Sequence, residues 1–112
     1  MQLNSAIQKG IHVITVDETR IDAASAIQFK DEMRAATDTG PDHVVLDLSG
    51  VSFVDSSGLG AIVASMKQMG DARRLDLAGL TPDVDKVFRL TRMDSIFVIH
   101  SDAATAVQRS AS

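Results

Sequence analysis

Val54-Asp55-Ser56-Ser57-Gly58-Leu59-Gly60 joins two stretches of different periodicity, and its reading decides the fold. Before it, His43-Val44-Val45-Leu46-Asp47-Leu48 is β-branched and apolar enough for a strand buried on both faces. After it, Leu59, Ile62, Val63 and Met66 recur at i, i+3, i+4 and i+7, one face of a helix. The stretch therefore reads as a strand-to-helix turn. It places two hydroxyls, a carboxylate and two glycines where a helix opens with unpaired backbone N–H groups, a natural place for an anion.

Working outward from this turn, Leu3 to Gln8 is a weak strand that Lys9-Gly10 can fold back onto Ile11-His12-Val13-Ile14-Thr15-Val16, so a hairpin is expected. Asp22 stands where an N-cap would open a helix over Ala23 to Thr37, with Ala26, Phe29, Met33 and Ala36 facing the core. Thr39-Gly40-Pro41-Asp42 ends that helix. Beyond the turn, the second helix runs to about Met69, and Gly70-Asp71 releases the chain into the strand Arg74-Leu75-Asp76-Leu77-Ala78. Thr81-Pro82-Asp83 opens a third helix with a capping hydroxyl, a proline at the first helical position and a carboxylate at the positive dipole end. Val84, Val87 and Phe88 face one way along it. Ile96-Phe97-Val98-Ile99 reads as a last strand, and Ser101-Asp102 caps a final helix that buries Ala103, Ala106 and Val107. The order is β-β-α-β-α-β-α-β-α, an α/β domain over 1–112 whose mixed, mostly parallel sheet has four to five strands and about four helices.

Composition narrows the chemistry. The 112 residues carry 15 acidic and 11 basic side chains spread along the chain, so no basic stripe exists to track a phosphate backbone, and nucleic acid is not an expected partner. The absence of cysteine removes disulfides, thiolate catalysis and cysteine-ligated metals together. The first residues lack a charged segment followed by an apolar core, and no apolar run reaches membrane-spanning length, so a cytoplasmic protein without membrane insertion is expected. With neither Trp nor Tyr and only four Phe, no aromatic cage or stacking platform is available. A monomer is the default for so small and polar a domain.

Several catalytic motifs are incomplete. A nucleophile elbow needs Gly-x-Ser-x-Gly, but Val54 precedes Ser56 by two residues and Asp55 precedes Ser57. Val63 replaces the third glycine that a dinucleotide fingerprint would place after Gly58-x-Gly60, and no P-loop is present. No cofactor or metal is expected. His12, His43 and His100 are far apart in sequence and read as structural or surface imidazoles, and Asp71, Arg73, Arg74 and Asp76 as a solvated turn.

A hydroxyl pair remains. One serine can cap the helix; if Ser57 does, Ser56 is left in the loop, reachable from solvent. Gly58 and Gly60 allow the first helical turn to lie close against the strand. A phosphate on a reachable serine would add roughly two negative charges, partly favoured by the helix dipole and repelled by Asp55. That change is large in charge and small in shape, which suits a binding surface switched without unfolding.

At these residues the chain resembles a known family. Phe53-Val54-Asp55-Ser56-Ser57-Gly58-Leu59-Gly60, preceded by Val44-Val45-Leu46-Asp47-Leu48, is similar to the STAS domain, and specifically to bacterial anti-sigma-factor antagonists. Asp22 matches the family's aspartate before the first helix, and Val87 to Ile99 its closing helix and strand; Thr19 departs from the glycine usual three residues before that aspartate. The resemblance implies a partner switch without catalysis of its own. The unphosphorylated protein would bind an anti-sigma factor that is also a serine kinase with a histidine-kinase-like ATPase fold. Phosphorylation of Ser56 would end the complex, and a serine phosphatase would restore it. Asp22, Asp55, Ser56, Ser57, Gly58, Leu59 and Gly60 would form the partner surface. The same fold also serves as a non-switching subunit of lipid-transport ABC complexes, which is the alternative reading. A small hydrolase using Ser56 is a third, for which the sequence places no base.

Overall fold

Alternation of β-branched strands with amphipathic segments gives, in the computed structural model, a five-stranded sheet flanked by helices on both faces. Residues 1–111 are described; Ser112, the last residue of the expected domain, lies outside them. The elements are β1 (Leu3–Gln8), β2 (Ile11–Val16), β3 (Arg20–Ile21), α1 (Ala26–Thr37), β4 (His43–Asp47), β5 (Phe53–Val54), α2 (Ser56–Met69), β6 (Arg74–Ala78), α3 (Pro82–Leu90), a 3-10 turn (Met93–Ser95), β7 (Ile99–His100) and α4 (Ala103–Ala111). The main sheet has the order β1-β2-β4-β6-β7; β1 is antiparallel to β2 and the other pairs are parallel. Lys9 and Gly10 make the expected hairpin, both at positive φ (51° and 78°), as a two-residue turn between twisted strands requires.

The central strand is buried on both faces. Val44, Leu46 and Leu48 join Ile14, Val16, Leu75 and Leu77 beneath Phe29 and Met33 of α1, Ile62 of α2 and Phe88 of α3. On the other face Val45 meets Ile11, Val13 and Ala78 beneath Ala106 and Val107 of α4. Each such aliphatic side chain contributes roughly 1.5–3 kcal/mol on burial, so this two-sided core outweighs any single polar contact in fixing the fold. Asp102 caps α4 as expected, accepting from the Thr105 N–H at 2.7 Å.

Five sequence expectations are corrected. First, α1 begins at Ala26 instead of Ala23, because Asp22 spends its Oδ1 on the Ala24 N–H and the Ser25 hydroxyl, folding residues 22–25 into a separate turn. Second, β4 does not run directly into the serine turn: residues 20–21 and 53–54 form an unanticipated two-stranded parallel sheet, too short to show any periodicity. Third, α2 is rotated from its expected face. Gly58, Ala61, Ile62, Ser65 and Met69 are buried and Leu59, Val63 and Met66 only partly so, because α1 packs along its side. Fourth, the Thr81 hydroxyl donates to the Val51 carbonyl at 2.8 Å instead of capping α3, although Pro82 does occupy the first turn. Fifth, the last strand shrinks to Ile99–His100. Arg92 turns left-handed (φ 61°) into the 3-10 turn, which sends Phe97 into the core edge-on to Phe88, their centroids 6.2 Å apart.

Candidate functional site

Asp55 organises the site. Its backbone is extended, and as N-cap of α2 it accepts the Gly58 N–H on Oδ1 at 2.9 Å. Its other oxygen accepts the Ala23 N–H at 3.1 Å, tying the turn before α1 to the start of α2. The capping residue is therefore Asp55 and neither serine, a correction to the expectation that one hydroxyl caps and the other stays in a loop. Ser56 and Ser57 occupy the first two helical positions, and both are exposed. Neither hydroxyl has a hydrogen-bond partner among the described residues.

The glycines divide. Gly58 is buried, and a Cβ there would stand 1.9 Å from the Ile21 carbonyl oxygen, so only glycine lets α2 start this close to β3. Gly60 is exposed with nothing within 4 Å of such a Cβ, so its expected close approach to the strand is not found. Leu59 is half-buried and packs against the core. The accessible part of the site is thus Ser56, Ser57 and Gly60, with Asp55 and Asp22 half-exposed beside them.

The small sheet supplies the rest. β3 and β5 are in register as Arg20 opposite Phe53 and Ile21 opposite Val54. The Thr19 carbonyl accepts the Ser52 N–H at 2.8 Å, and Thr19 is not at positive φ, so its backbone makes no demand for the glycine usual there. Arg20 donates from Nε to Asp22 Oδ2 at 3.1 Å and lays its guanidinium 4.1 Å from the centroid of the Phe53 ring. That hydrogen bond is the main reason the Asp22 carboxyl sits below its ordinary pKa, helped by Ser25 and Ala24.

Sequence reading missed a second polar cluster, on the opposite face of the sheet. Asp76, 1% exposed, accepts Arg74 on both oxygens (2.7 and 2.9 Å) and both His43 and His100 on Oδ2 (3.1 and 2.9 Å). This corrects the reading of a solvated turn at Arg74 and Asp76 and brings together two histidines distant in sequence; parallel pairing of β4, β6 and β7 does what spacing cannot show. Burial alone would push the Asp76 carboxyl up, but the bonds from Arg74, His100 and His43 hold it below its ordinary value. Arg73 is likewise not solvated at a turn, since its guanidinium binds the Thr37 and Pro41 carbonyls. Among the described residues no group of three or more His, Cys, Asp or Glu is arranged to hold a metal ion, and no helix is long and apolar enough to cross a membrane.

Comparison with known proteins bears on this geometry. A profile of the STAS domain matches residues 2–106. BtrV of Bordetella bronchiseptica, named as a candidate anti-sigma factor antagonist, is 33% identical over 94 residues, 81% of either chain. Among solved structures, an anti-sigma-factor antagonist (STAS) domain protein from Planctomyces limnophilus matches with a TM-score of 0.88 at 22% identity over 98% of both chains. The Bacillus cell fate determinant SpoIIAA, in its phosphorylated form, matches with a TM-score of 0.69 at 22% identity over 97% of both. At these identities the two structures establish a likeness of fold.

Proposed function

This chain belongs to the STAS domain family, among the anti-sigma factor antagonists, and from that premise we propose that it is a phosphorylation-switched binding module acting in the cytoplasm. Its unphosphorylated form sequesters an anti-sigma factor that is also a serine kinase with a histidine-kinase-like ATPase fold. The kinase transfers the γ-phosphoryl group of ATP to Ser56 Oγ, which loses its proton, and ADP is left. A serine phosphatase reverses the step by hydrolysis.

The observation that carries this reading is an exposed, unpartnered serine at the first position of α2, with the capping carboxylate already committed to two backbone N–H groups. A phosphate there adds roughly two negative charges. The helix dipole offsets part of that, about 0.3–1 kcal/mol per charge at an exposed end. Asp55 and Asp22 oppose it, and both are held in place by hydrogen bonds and cannot swing away without losing them. The outcome is a strong change in surface potential with the aliphatic interior unaltered. SpoIIAA, which shares the fold, has been solved in a phosphorylated form, which supports the same reading here.

The test is intact-mass analysis of the protein from its native cell, with and without phosphatase treatment. One removable phosphate, mapped to Ser56, is expected. Ser56→Ala should bind the kinase and resist labelling, and Ser56→Asp should bind weakly. Labelling at another residue, tight binding by Ser56→Asp, or co-purification of an unphosphorylated chain with a lipid-transport ATPase overturns the proposal.

A further inference from the structure

The pairing of Arg20 with Phe53 is unaccounted for by a switch made of Asp55 and Ser56 alone. Arginine side chains on a surface are usually free to rotate, and their ordering on binding is costly. Arg20 is held from two directions. Nε is fixed by Asp22, which is itself anchored to the turn of residues 22–25, and the guanidinium carbon lies over the Phe53 ring, 4.1 Å from its centroid. That same turn is bonded through Ala23 to Asp55, the cap of the helix that carries Ser56. Arg20 is therefore rigidly referenced to the switch.

Its side chain is still 57% exposed, and among the described residues its two terminal amino groups have no hydrogen-bond acceptor. Phe53 is 39% exposed, the one aromatic ring among the six large apolar side chains exposed in the described residues. A preordered cation with free donors on an exposed aromatic ring has the composition of a binding hot spot, where arginine and aromatic residues dominate. The planar fork of guanidinium N–H groups matches a carboxylate in bidentate geometry.

We propose that Arg20, presented by Phe53, is an anchor and specificity residue of the partner surface, and that it takes an Asp or Glu carboxylate of the bound protein. The inference rests on the switch reading above and names the chemistry that the partner must bring. It also divides the labour at the surface: the acidic pair Asp22 and Asp55 with Ser56 sets whether binding occurs, and Arg20 selects which kinase is bound.

The probe is the serine kinase, of histidine-kinase-like fold and from the same cell, that labels Ser56 of the wild-type chain with ATP. Calorimetry without nucleotide compares wild type with Arg20→Glu, Arg20→Lys and Phe53→Leu, with Lys86→Glu as the same charge change on the exposed side of α3. Arg20→Glu should weaken binding by roughly thirtyfold or more, the size of a hot-spot loss. Arg20→Lys and Phe53→Leu should fall between it and wild type, and Lys86→Glu should bind as wild type. Changing the contacted acidic residue of the kinase to Arg should restore binding to Arg20→Glu. If a kinase labels Ser56 and binds Arg20→Glu as tightly as wild type, with all variants melting as the parent does, the anchor is refuted and the switch stands. If no kinase labels Ser56, the switch itself fails and the anchor with it.

Discussion

Replacing Gly58 by Ala tests how closely α2 is seated on β3, and Gly60→Ala two residues on is its internal control. A Cβ on Gly58 would lie 1.9 Å from the oxygen and 2.7 Å from the carbon of the Ile21 carbonyl, about 1.5 Å short of ordinary contact. Both atoms are backbone, in a fully buried residue paired with Val54, so no side chain can rotate out of the way. Either α2 tilts off the sheet or β3 parts from β5. Overpacking of this kind costs about 3 kcal/mol, and alanine's helix propensity returns about 1 kcal/mol, so a net loss of about 2 kcal/mol is expected. For a domain of this size that lowers Tm by about 8 °C. At Gly60 the same change meets nothing within 4 Å and keeps only the propensity gain, about 0.5–1 kcal/mol, raising Tm by a few degrees. Differential scanning calorimetry and urea unfolding of the two variants measure this directly. Shifts of the same sign, or a Gly58→Ala protein as stable as the parent, would refute the close seating of α2 on β3.

Substitutions at two other positions test the polar framework. Asp55→Ala removes both the cap of α2 and the tie to Ala23, and should lose about 1–2 kcal/mol in urea unfolding; Asp55→Asn, which can still accept at one oxygen, should lose less. Asp76→Asn puts an amide donor against Arg74, His43 and His100, and should lose about 2–3 kcal/mol near neutral pH, less than a fully buried pair because Arg74 is half-exposed. The native carboxyl lies below its ordinary value of 3.8, so its contribution is complete above that pH and disappears as pH falls through the lower folded value. The deficit of Asp76→Asn should therefore shrink only in the acid limb, below about pH 4. A deficit that stays constant down to the acid transition would disprove the assignment.

Much of this architecture was legible along the chain, because β-branched runs and helical stripes report on burial locally. The hairpin at Lys9-Gly10, the doubly buried strand at 43–47, the α2 region and the Asp102 cap all follow from neighbours within four residues. The Asp-Ser-Ser-Gly motif was legible as well, since its specificity lies in contiguous residue types. The β3/β5 pair was not, because two-residue strands have no period to detect. Nor was the choice of cap, which depended on where the Asp55 carboxylate points and on an N–H from residue 23.

By itself, then, the sequence determined the layer order, the parallel core and the place of the exposed serine that the proposed switch uses, all encoded in periodicity and in one contiguous motif. Tertiary structure alone decided which residues share a surface. Gly58 became obligatory because β3 passes beneath it, Arg20 met Phe53 through strand register, and Asp76 drew in two histidines from neighbouring strands. These juxtapositions join residues 24 to 37 positions apart, and contacts at that separation are set by how strands are ordered in a sheet, which no local pattern of side chains records.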